Sequence, residues 1–273
     1  MLDTSFIELT KLDKIKNLHL PSKITPDLAY LSGVLAGDGS IHIQYDKHNY
    51  LIKCVGNPKD EKEFYDIVLT NLFIDLFGIK IETKMFDSGT TYGFQLSSKS
   101  LVMFFTKSIG LPLGRKDNIE VPELFRNDTK LMKPFIQGFF DTDGCLALKK
   151  RYKNYQYYPV VSCVSKSKFI IDQMFEFLQT TGLEAKQYRR QVYDLRINKK
   201  EITYDITMYG HLQLVKWMNC IGFRHPKHLH KFELWKERNE NNKRANKALN
   251  MIAEDGVSLD KKSRPNLNST IRN

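Results

Sequence analysis

The chain has 273 residues, 41% of them hydrophobic, which is enough to bury a substantial core and to form two domains of common size. Its 42 Lys and Arg residues outnumber its 31 Asp and Glu residues, and the formal net charge of +11 indicates a polyanionic partner without identifying it. Four cysteines without a CxxC pair argue against a disulfide scaffold and a zinc ribbon, and no apolar run is long enough to span a membrane. Because the N-terminus is also charged, these features predict a soluble, intracellular protein that contacts no membrane.

The first half of the chain predicts one α-β-β-α-β-β-α unit over residues 24–111, after an N-terminal arm of residues 1–23. Ser40, His42 and Gln44 alternate with apolar residues, which is the period-2 pattern of a half-buried strand. Further along, apolar residues recur at helical spacing up to Leu76, and Gly78 is a helix stop. The other predicted elements of this half are a helix leading to Asp38, strands near residues 50–55, 79–85 and 92–96, and a helix near residues 99–109.

The second half, residues 131–236, predicts the same order of elements after a linker at residues 112–130 that contains Pro112, Gly114 and Pro122. The final segment, residues 237–273, is rich in Asn and Lys and predicts a helix followed by a polar tail. The predicted elements of the second half are a hairpin near residues 145–164, a helix at 167–182, strands near 184–190 and 203–208, and a helix at 211–221. We therefore expect an α+β fold with two pseudo-symmetric halves and two antiparallel sheets.

A short motif occurs once in each half. Residues 31–39 read LSGVLAGDG and residues 136–144 read IQGFFDTDG, so Asp38 and Asp143 occupy the same position, 143 − 38 = 105 residues apart. Small residues lie four apart on the helix before each Asp-Gly pair, at Gly33 and Gly37 and again at Gly138 and Thr142. Two helices with such stripes can pack closely face to face, which predicts a fused pseudo-dimer.

A single Asp-Gly pair is most often only a turn, but the predicted packing brings two of them together. Asp38 and Asp143 then lie side by side at helix C-termini, where free carbonyl groups already carry the negative end of the helix dipole. Their carboxylates repel unless a cation lies between them. Carboxylate and carbonyl oxygens suit Mg²⁺ or another hard divalent cation such as Mn²⁺.

Both nonapeptides resemble the LAGLIDADG motif, and the order of elements over residues 27–235 resembles the two-repeat, single-chain homing endonucleases. The resemblance implies a monomer that makes a double-strand break with short 3′ overhangs in a long, asymmetric DNA site, for intron homing. It implies that Asp38 and Asp143 bind the catalytic metals, assisted by the carbonyl groups of Gly37 and Thr142. Asp141 occupies a variable motif position, which is Ala36 in the first copy, so we assign it no metal role.

The same resemblance implies accessory polar residues near the scissile phosphates. By alignment, these are Asn57 in the first half with Ser165 or Lys166 in the second, and Lys116 with Lys227. Asn57 precedes a proline, so a turn is its competing interpretation, and ordinary surface lysines are the competing interpretation of the Lys pair. The cluster of His225, His228 and His230 beside Cys220 lacks the paired spacing of a zinc site, so structural zinc is disfavoured.

In the family, the outer face of each sheet lies in the major groove of double-stranded DNA. Ser40, His42 and Gln44 are the candidates for this contact in the first half. The candidates in the second half are basic: Lys149, Arg151, Lys153, Lys186, Arg189 and Arg190. Such residues predict affinity that falls with salt, and a solvated polar face is the alternative for each one.

Two other functions remain open for the same scaffold. An intron maturase would bind intron RNA instead of DNA, and a catalytically silent regulator would bind DNA without cutting it. Retention of both Asp38 and Asp143 favours cleavage, because binding alone has no use for a pair of acidic residues that requires a metal. The chain resembles proteins of the archaeal cytoplasm and of organelles, so we expect it to act in one of these compartments.

Overall fold

The computed structural model describes residues 2–151, 155–194 and 198–239. Predicted residue Lys153 and residues 240–273 of the predicted tail lie outside these ranges. The described residues form two four-stranded antiparallel sheets with the same strand order, β1-β2-β4-β3 and β5-β6-β8-β7. Each sheet belongs to one α-β-β-α-β-β-α unit, which confirms the predicted α+β fold with two pseudo-symmetric halves.

The first unit follows a short helix α1 (Lys11–Ile15) in the N-terminal arm. Asp13 of α1 is buried and accepts hydrogen bonds from Ser98 (2.8 Å) and Ser100 (2.7 Å), which attaches the arm to the last helix of the unit. The elements of the unit are α2 (Pro26–Gly37), β1 (Gly39–Gln44), β2 (Asn49–Gly56), α3 (Phe64–Leu69, π-helical, then Thr70–Phe77), β3 (Thr83–Phe86), β4 (Thr91–Ser97) and α4 (Lys99–Met103, then Phe104–Ile109, π-helical).

The second unit is entered through a short helix α5 (Glu123–Arg126). Its first long helix begins at Thr129, because the side chain of Asp128 accepts a hydrogen bond from the Lys130 amide and caps the helix, so the predicted linker overlaps the start of this helix. The elements are α6 (Thr129–Thr142), β5 (Gly144–Arg151), β6 (Tyr155–Ser165), α7 (Lys168–Thr180), β7 (Lys186–Asp194), β8 (Lys199–Tyr209) and α8 (His211–Cys220).

Two elements differ from the sequence-based expectation. The strand predicted at residues 79–85 is observed only as β3, because Ile79 and Ile81 are buried as part of the connection from α3 and not as part of the ladder. A helix that periodicity did not predict, α9 (Pro226–Asn239), follows α8. Its apolar positions are few, and Trp235, which is fully buried, attaches it to the second half. Among the described residues, no helix is long and apolar enough to cross a membrane.

Helices α2 and α6 form the interface between the halves, as their small residues predicted. A Cβ atom placed on Gly33 would lie 2.0 Å from the carbonyl oxygen of Phe135, and one on Gly138 would lie 2.1 Å from that of Tyr30. Gly37 contacts Thr142 in the same way, since a Cβ atom on Gly37 would lie 2.0 Å from Thr142 Oγ1. At Gly33 and Gly138 backbone therefore touches backbone, and only glycine permits this approach.

We predict that Gly33→Ala lowers the free energy of unfolding by about 3 kcal/mol or more, because the added methyl group meets a backbone carbonyl that cannot move aside. Gly114→Ala is the matched control, since Gly114 has φ of +85° but no heavy atom within 4 Å of the added methyl group. Its loss should be only about 1 kcal/mol, from backbone strain. Urea titrations measure both values, and equal losses would contradict the predicted role of the helix interface.

Candidate active site at the ends of the paired helices

Asp38 and Asp143 are the residues that end helices α2 and α6. Their amide groups still donate helical hydrogen bonds, from Asp38 to Val34 (3.1 Å) and from Asp143 to Phe139 (3.0 Å). The next residue in each case, Gly39 or Gly144, is the first residue of a sheet. Each aspartate is thus held between the end of an interface helix and the beginning of its own sheet.

The glycine after each aspartate is required by close packing against the preceding helix turn. A Cβ atom on Gly39 would lie 2.5 Å from the carbonyl oxygen of Leu35, and one on Gly144 would lie 2.3 Å from that of Phe140. The Asp-Gly pair therefore does more than form a turn. It lets the strand leave directly over the helix end, so that the carboxylate stays at the interface between the halves.

The surroundings of the two carboxylates favour their neutral form. Removal of water by the surrounding protein raises the pKa of Asp38 to about 7, and the negative charges of Asp143 and Glu61 contribute to this rise. The same desolvation raises the pKa of Asp143 to about 6, against the effect of Lys116. Asp38 is half-buried whereas Asp143 is exposed, which agrees with the smaller pKa rise of Asp143. A bound cation would relieve this unfavourable pair of charges.

Lys116 lies on the carbonyl groups at the end of α2. Its Nζ donates to the carbonyl oxygen of Ala36 (3.1 Å) and, at shorter range, to that of Gly37. Burial lowers the pKa of Lys116, while Asp143, Cys54 and Asp38 oppose that change. An ammonium group thus occupies the negative end of the helix dipole, next to both aspartates.

Lys227 reaches the same centre from the first turn of α9. Its Nζ forms an ion pair with Glu61 Oε1 at 2.5 Å, and both side chains are mostly buried, with 18% and 12% exposure. Glu61 was not predicted from the sequence, because a single glutamate outside any repeated motif carries no signal. The structure therefore brings together four predicted residues, Asp38, Asp143, Lys116 and Lys227, with one unpredicted carboxylate.

The structure does not bring the side-chain amide of Asn57 or the ammonium group of Lys166 into this cluster. The side-chain oxygen of Asn57 accepts a hydrogen bond from the Lys59 amide (2.9 Å), as in the turn that was its competing interpretation. Lys166 is ion-paired with Glu201 on strand β8. The predicted catalytic role of both residues stays untested, and their observed partners argue for local structural roles.

The oxygen-rich helix ends fit a hard divalent cation. Within the part of the chain that the structure describes, no group of three or more His, Cys, Asp or Glu side chains is placed to hold a metal ion. Asp38 and Asp143 could therefore supply only part of a coordination shell, and further oxygen ligands would have to complete it. Mg²⁺ is commonly bound in this way, through one or two carboxylates and substrate phosphates.

Of the three histidines considered for zinc, His230 is exposed, and His225 and His228 are buried packing residues. The Nδ1 atoms accept hydrogen bonds from backbone amides, His225 from Lys227 (3.1 Å) and His228 from Leu146 (3.4 Å). His225 also stacks on Phe64, with ring centroids 4.2 Å apart. Burial lowers the pKa of His225 to about 2 and that of His228 to about 3, so both rings are neutral and join the two halves around α9.

Asp141 forms part of a second buried network at the helix pair. Its Oδ2 atom accepts hydrogen bonds from the hydroxyl group of Tyr30 (2.6 Å) and from the amides of Arg224 (2.9 Å) and His225 (3.1 Å). These contacts join α2, α6 and the segment before α9. Asp141 thus has structural partners, in keeping with the absence of an assigned metal role.

The outer face of the first sheet carries the predicted polar residues. Ser40 pairs with Lys53, which pairs with Gln95, and this row lies opposite the buried row that contains Ile41. Lys84 shares the face, because it pairs with Gly93 in the same register, and both Lys53 and Lys84 lie over the ring of Phe86. Lys53, Lys84 and Gln95 were missed, because only strand pairing shows that they share a face with Ser40, His42 and Gln44.

In the second sheet, alternation separates the basic residues that were predicted together. Lys186 and Arg190 share the outer face, whereas Arg189 pairs with Tyr204 on the opposite face of the strand, so strand pairing does not place the three residues together and a DNA contact of Arg189 stays a prediction. Arg190 binds Asp205 with two hydrogen bonds of 2.8 and 2.9 Å. Lys149 is exposed on the outer face, while Arg151 follows a register shift and lies over the ring of Tyr158.

Comparison with known proteins agrees with this geometry. Residues 131–215 match the model of the LAGLIDADG-like domain. The structure of the homing endonuclease I-DmoI in complex with DNA and Ca is similar, with a TM-score of 0.52 and 17% identity over 76% of this chain and 97% of that chain. The chain therefore contains a LAGLIDADG-like domain at residues 131–215, and its two halves have the fold of this homing endonuclease. A variant of I-DmoI with nicked target DNA and Mn is similar at a TM-score of 0.51, with 17% identity over 72% of this chain and 95% of that chain.

Relatives in sequence come from Methanocaldococcus jannaschii. An uncharacterised protein is 30% identical over 164 residues, which are 59% of this chain and 56% of that protein. The tRNA-splicing ligase RtcB is 23% identical over 243 residues, which are 82% of this chain and 24% of that protein. The chain thus spans about half the length of the first relative and a quarter of the second.

We predict that Asp38→Asn stabilises the metal-free protein at pH 7.5 but not near pH 4. The folded-state pKa of Asp38 is about 7, above the ordinary value of 3.8, so the folded protein retains a proton that the unfolded chain loses between these values. Wild-type stability therefore falls as pH rises through this window, and asparagine removes that loss. After allowance for partial exposure, the gain at pH 7.5 should be about 1–2 kcal/mol.

Urea titrations in EDTA at several pH values measure this difference, and Asp117→Asn in the exposed linker controls for the loss of one negative charge. A difference between wild type and Asp38→Asn that does not change with pH would contradict the prediction. Added Mg²⁺ should stabilise the wild type at pH 7.5 more than the Asp38→Asn variant, since the bound ion raises the stability of the folded state.

Proposed function

We propose that this chain is a site-specific DNA endonuclease that cuts both strands of a duplex by metal-assisted phosphodiester hydrolysis. One observation carries the proposal: two aspartates from two repeated units meet at the ends of paired helices, and each directly precedes the first residue of its own sheet. One carboxylate for each DNA strand is what double-strand cleavage by a pseudo-symmetric protein requires. The similar I-DmoI structures contain DNA with Mn or Ca, which supports the proposal.

Hydrolysis of a phosphodiester needs an activated water, neutralisation of the phosphate charge and stabilisation of the leaving oxygen. Asp38 and Asp143, with the carbonyl groups of Gly37 and Thr142, would hold Mg²⁺ or Mn²⁺. A divalent cation bound there supplies Lewis acidity that lowers the pKa of the attacking water and neutralises developing charge. Lys116 and Lys227 add two ammonium groups that can neutralise the phosphates beside the Asp pair.

The outer faces of the two sheets would bind double-stranded DNA on either side of the centre. The register places different residues at equivalent positions after each aspartate: Ser40, His42 and Gln44 in one half and Cys145, Ala147 and Lys149 in the other. The two half-sites should therefore differ in sequence, which supports a long, asymmetric target read by a monomer. The short 3′ overhangs and the role in intron homing rest on the family resemblance.

We predict that Asp38→Asn or Asp143→Asn reduces double-strand cleavage by at least about 100-fold, because each removes a ligand needed for transition-state charge stabilisation. Binding of the selected duplex in EDTA should not weaken, since the change removes negative charge near the phosphates. Asp117→Asn in the linker is the matched control and should cut normally.

The target is first obtained by cleavage selection from a randomised duplex library with Mg²⁺, and the sequenced ends also give the overhang. Normal cleavage by a double Asp38→Asn, Asp143→Asn variant would refute the mechanism. Two results would favour the alternatives: tight binding of a duplex without cleavage would indicate a silent regulator, and preference for intron RNA over any duplex would indicate a maturase.

We also predict steep salt dependence of DNA binding. A protein with six to ten phosphate contacts loses roughly 10³- to 10⁵-fold in affinity between 50 and 200 mM salt. Lys53→Ala and Lys84→Ala, on the outer face of the first sheet, should each reduce the slope of log K against log salt by about 1. Lys107→Ala, exposed on α4, should leave the slope unchanged. Equal slopes for all three variants would contradict the assigned DNA-binding face.

A further inference from the structure

One of the length differences between the two halves lies next to the active centre. Cys54 and Cys163 pair with the glycine after each catalytic aspartate and lie 163 − 54 = 109 residues apart. Gly78 and Gly182, which follow the next helix in each half with positive φ, lie 182 − 78 = 104 residues apart. The first half therefore has 109 − 104 = 5 more residues between these points. The additional length lies between β2 and α3, in residues 57–61, which we call the extra turn.

The extra turn is organised by the carboxylate of Glu61. The amide of Asn57 donates to Glu61 Oε2 at 2.9 Å, and the amide of Glu61 donates to the carbonyl oxygen of Asn57 at 3.0 Å. Gly56 leaves space for this arrangement, since a Cβ atom there would lie 1.6 Å from Glu61 Oε2. The other oxygen, Oε1, accepts the ion pair from Lys227 of the second half at 2.5 Å.

Each partner of this ion pair is unfavourably placed without the other. Lys227 is the second residue of α9, at the positive end of the helix dipole, where a cation is destabilised. Glu61 is close enough to Asp38 to raise its pKa, so it adds like charge to an acidic centre. A mostly buried pair that violates both local preferences is expected where a protein holds a group for its chemistry.

The ion pair between Glu61 and Lys227 also makes the contacts of Lys227 different from those of Lys116 in the other half. Lys116 donates to the carbonyl groups of Ala36 and Gly37 at the end of α2. A symmetric Lys227 would donate to the corresponding carbonyl groups at the end of α6. Its Nζ is instead held by Glu61, and its charge acts on Asp38. Both lysines therefore act on Asp38, whereas Asp143 is influenced by Lys116.

We propose that Glu61 is a positioning residue that holds Lys227 on the Asp38 side of the centre, so that the two DNA strands are cut by chemically different groups and at different rates. This inference rests on the proposed endonuclease function. The extra turn of the first half then carries the residue that holds Lys227, and the shorter connection of the second half has no equivalent.

Strand-resolved kinetics on the selected duplex, with each strand labelled separately, test this proposal. Glu61→Gln keeps the size of the side chain and an acceptor for the Asn57 amide, but it removes the charge that holds Lys227. We expect one strand to be cut at least tenfold more slowly, through kcat and not KM, while the other changes less than threefold. Nicked duplex should accumulate, and binding in EDTA should stay near that of the wild type.

A double-mutant comparison shows whether Glu61 acts through Lys227. In a Lys227→Gln background, adding Glu61→Gln should change the rates less than twofold, because the group that Glu61 positions is already absent. Glu233→Gln is the matched control, since Glu233 is paired with Lys236 on the exposed surface of α9. Its two strand rates should equal those of the wild type.

Two results would overturn the proposal: equal slowing of both strands by Glu61→Gln, or additive effects of Glu61→Gln and Lys227→Gln. Either would mean that Glu61 only shapes the turn. If the wild type cuts neither strand, the proposed function is wrong. If the wild type cuts and the Glu61→Gln variant cuts both strands at the same rates, this inference alone is wrong.

Discussion

Backbone contact between helices α2 and α6 is the constraint on which the rest of this structure depends. At Gly33 and Gly138, the space that a side chain would occupy is filled by a carbonyl group of the opposite helix. The small residues face each other in register, with Gly37 against Thr142 in the last turn of each helix, so the negative dipole ends and the aspartates that follow them lie side by side. The helix packing that forms the core therefore also creates the acidic centre.

The acidic centre then determines what surrounds it. Carbonyl groups of α2 accept hydrogen bonds from the ammonium group of Lys116. The pKa of Asp38 is raised because water is displaced and because the negative charge of Asp143 is near. Electrostatic repulsion of this kind lowers stability unless a cation offsets it. The centre is therefore strained in the metal-free protein and suited to cation binding, and the glycines after the aspartates place it at the edge of both sheets.

Much of the fold followed from periodicity, turn residues and the repeated motif. The order of elements in both halves was predicted because strand alternation, helical spacing and stop glycines such as Gly78 and Gly182 are local signals. The shortening of β3 and the presence of α9 were not predicted, because both depend on partners distant in sequence. Ile79 is buried outside the ladder, and α9 is held by the buried side chains of His228 and Trp235.

Within the site, the sequence by itself determined the two aspartates, their glycines and the helix pair, because repetition at a spacing of 105 residues (143 − 38) marks positions that one physical constraint fixes twice. Only the tertiary structure decided which side chains join them. Glu61 is included because an extra turn brings it to Lys227, whereas Lys166 is paired with Glu201 and Arg189 lies on the other face of its strand. Charged groups pair with residues that are distant in sequence, and local spacing shows neither the strand pairing nor the contact between the two halves.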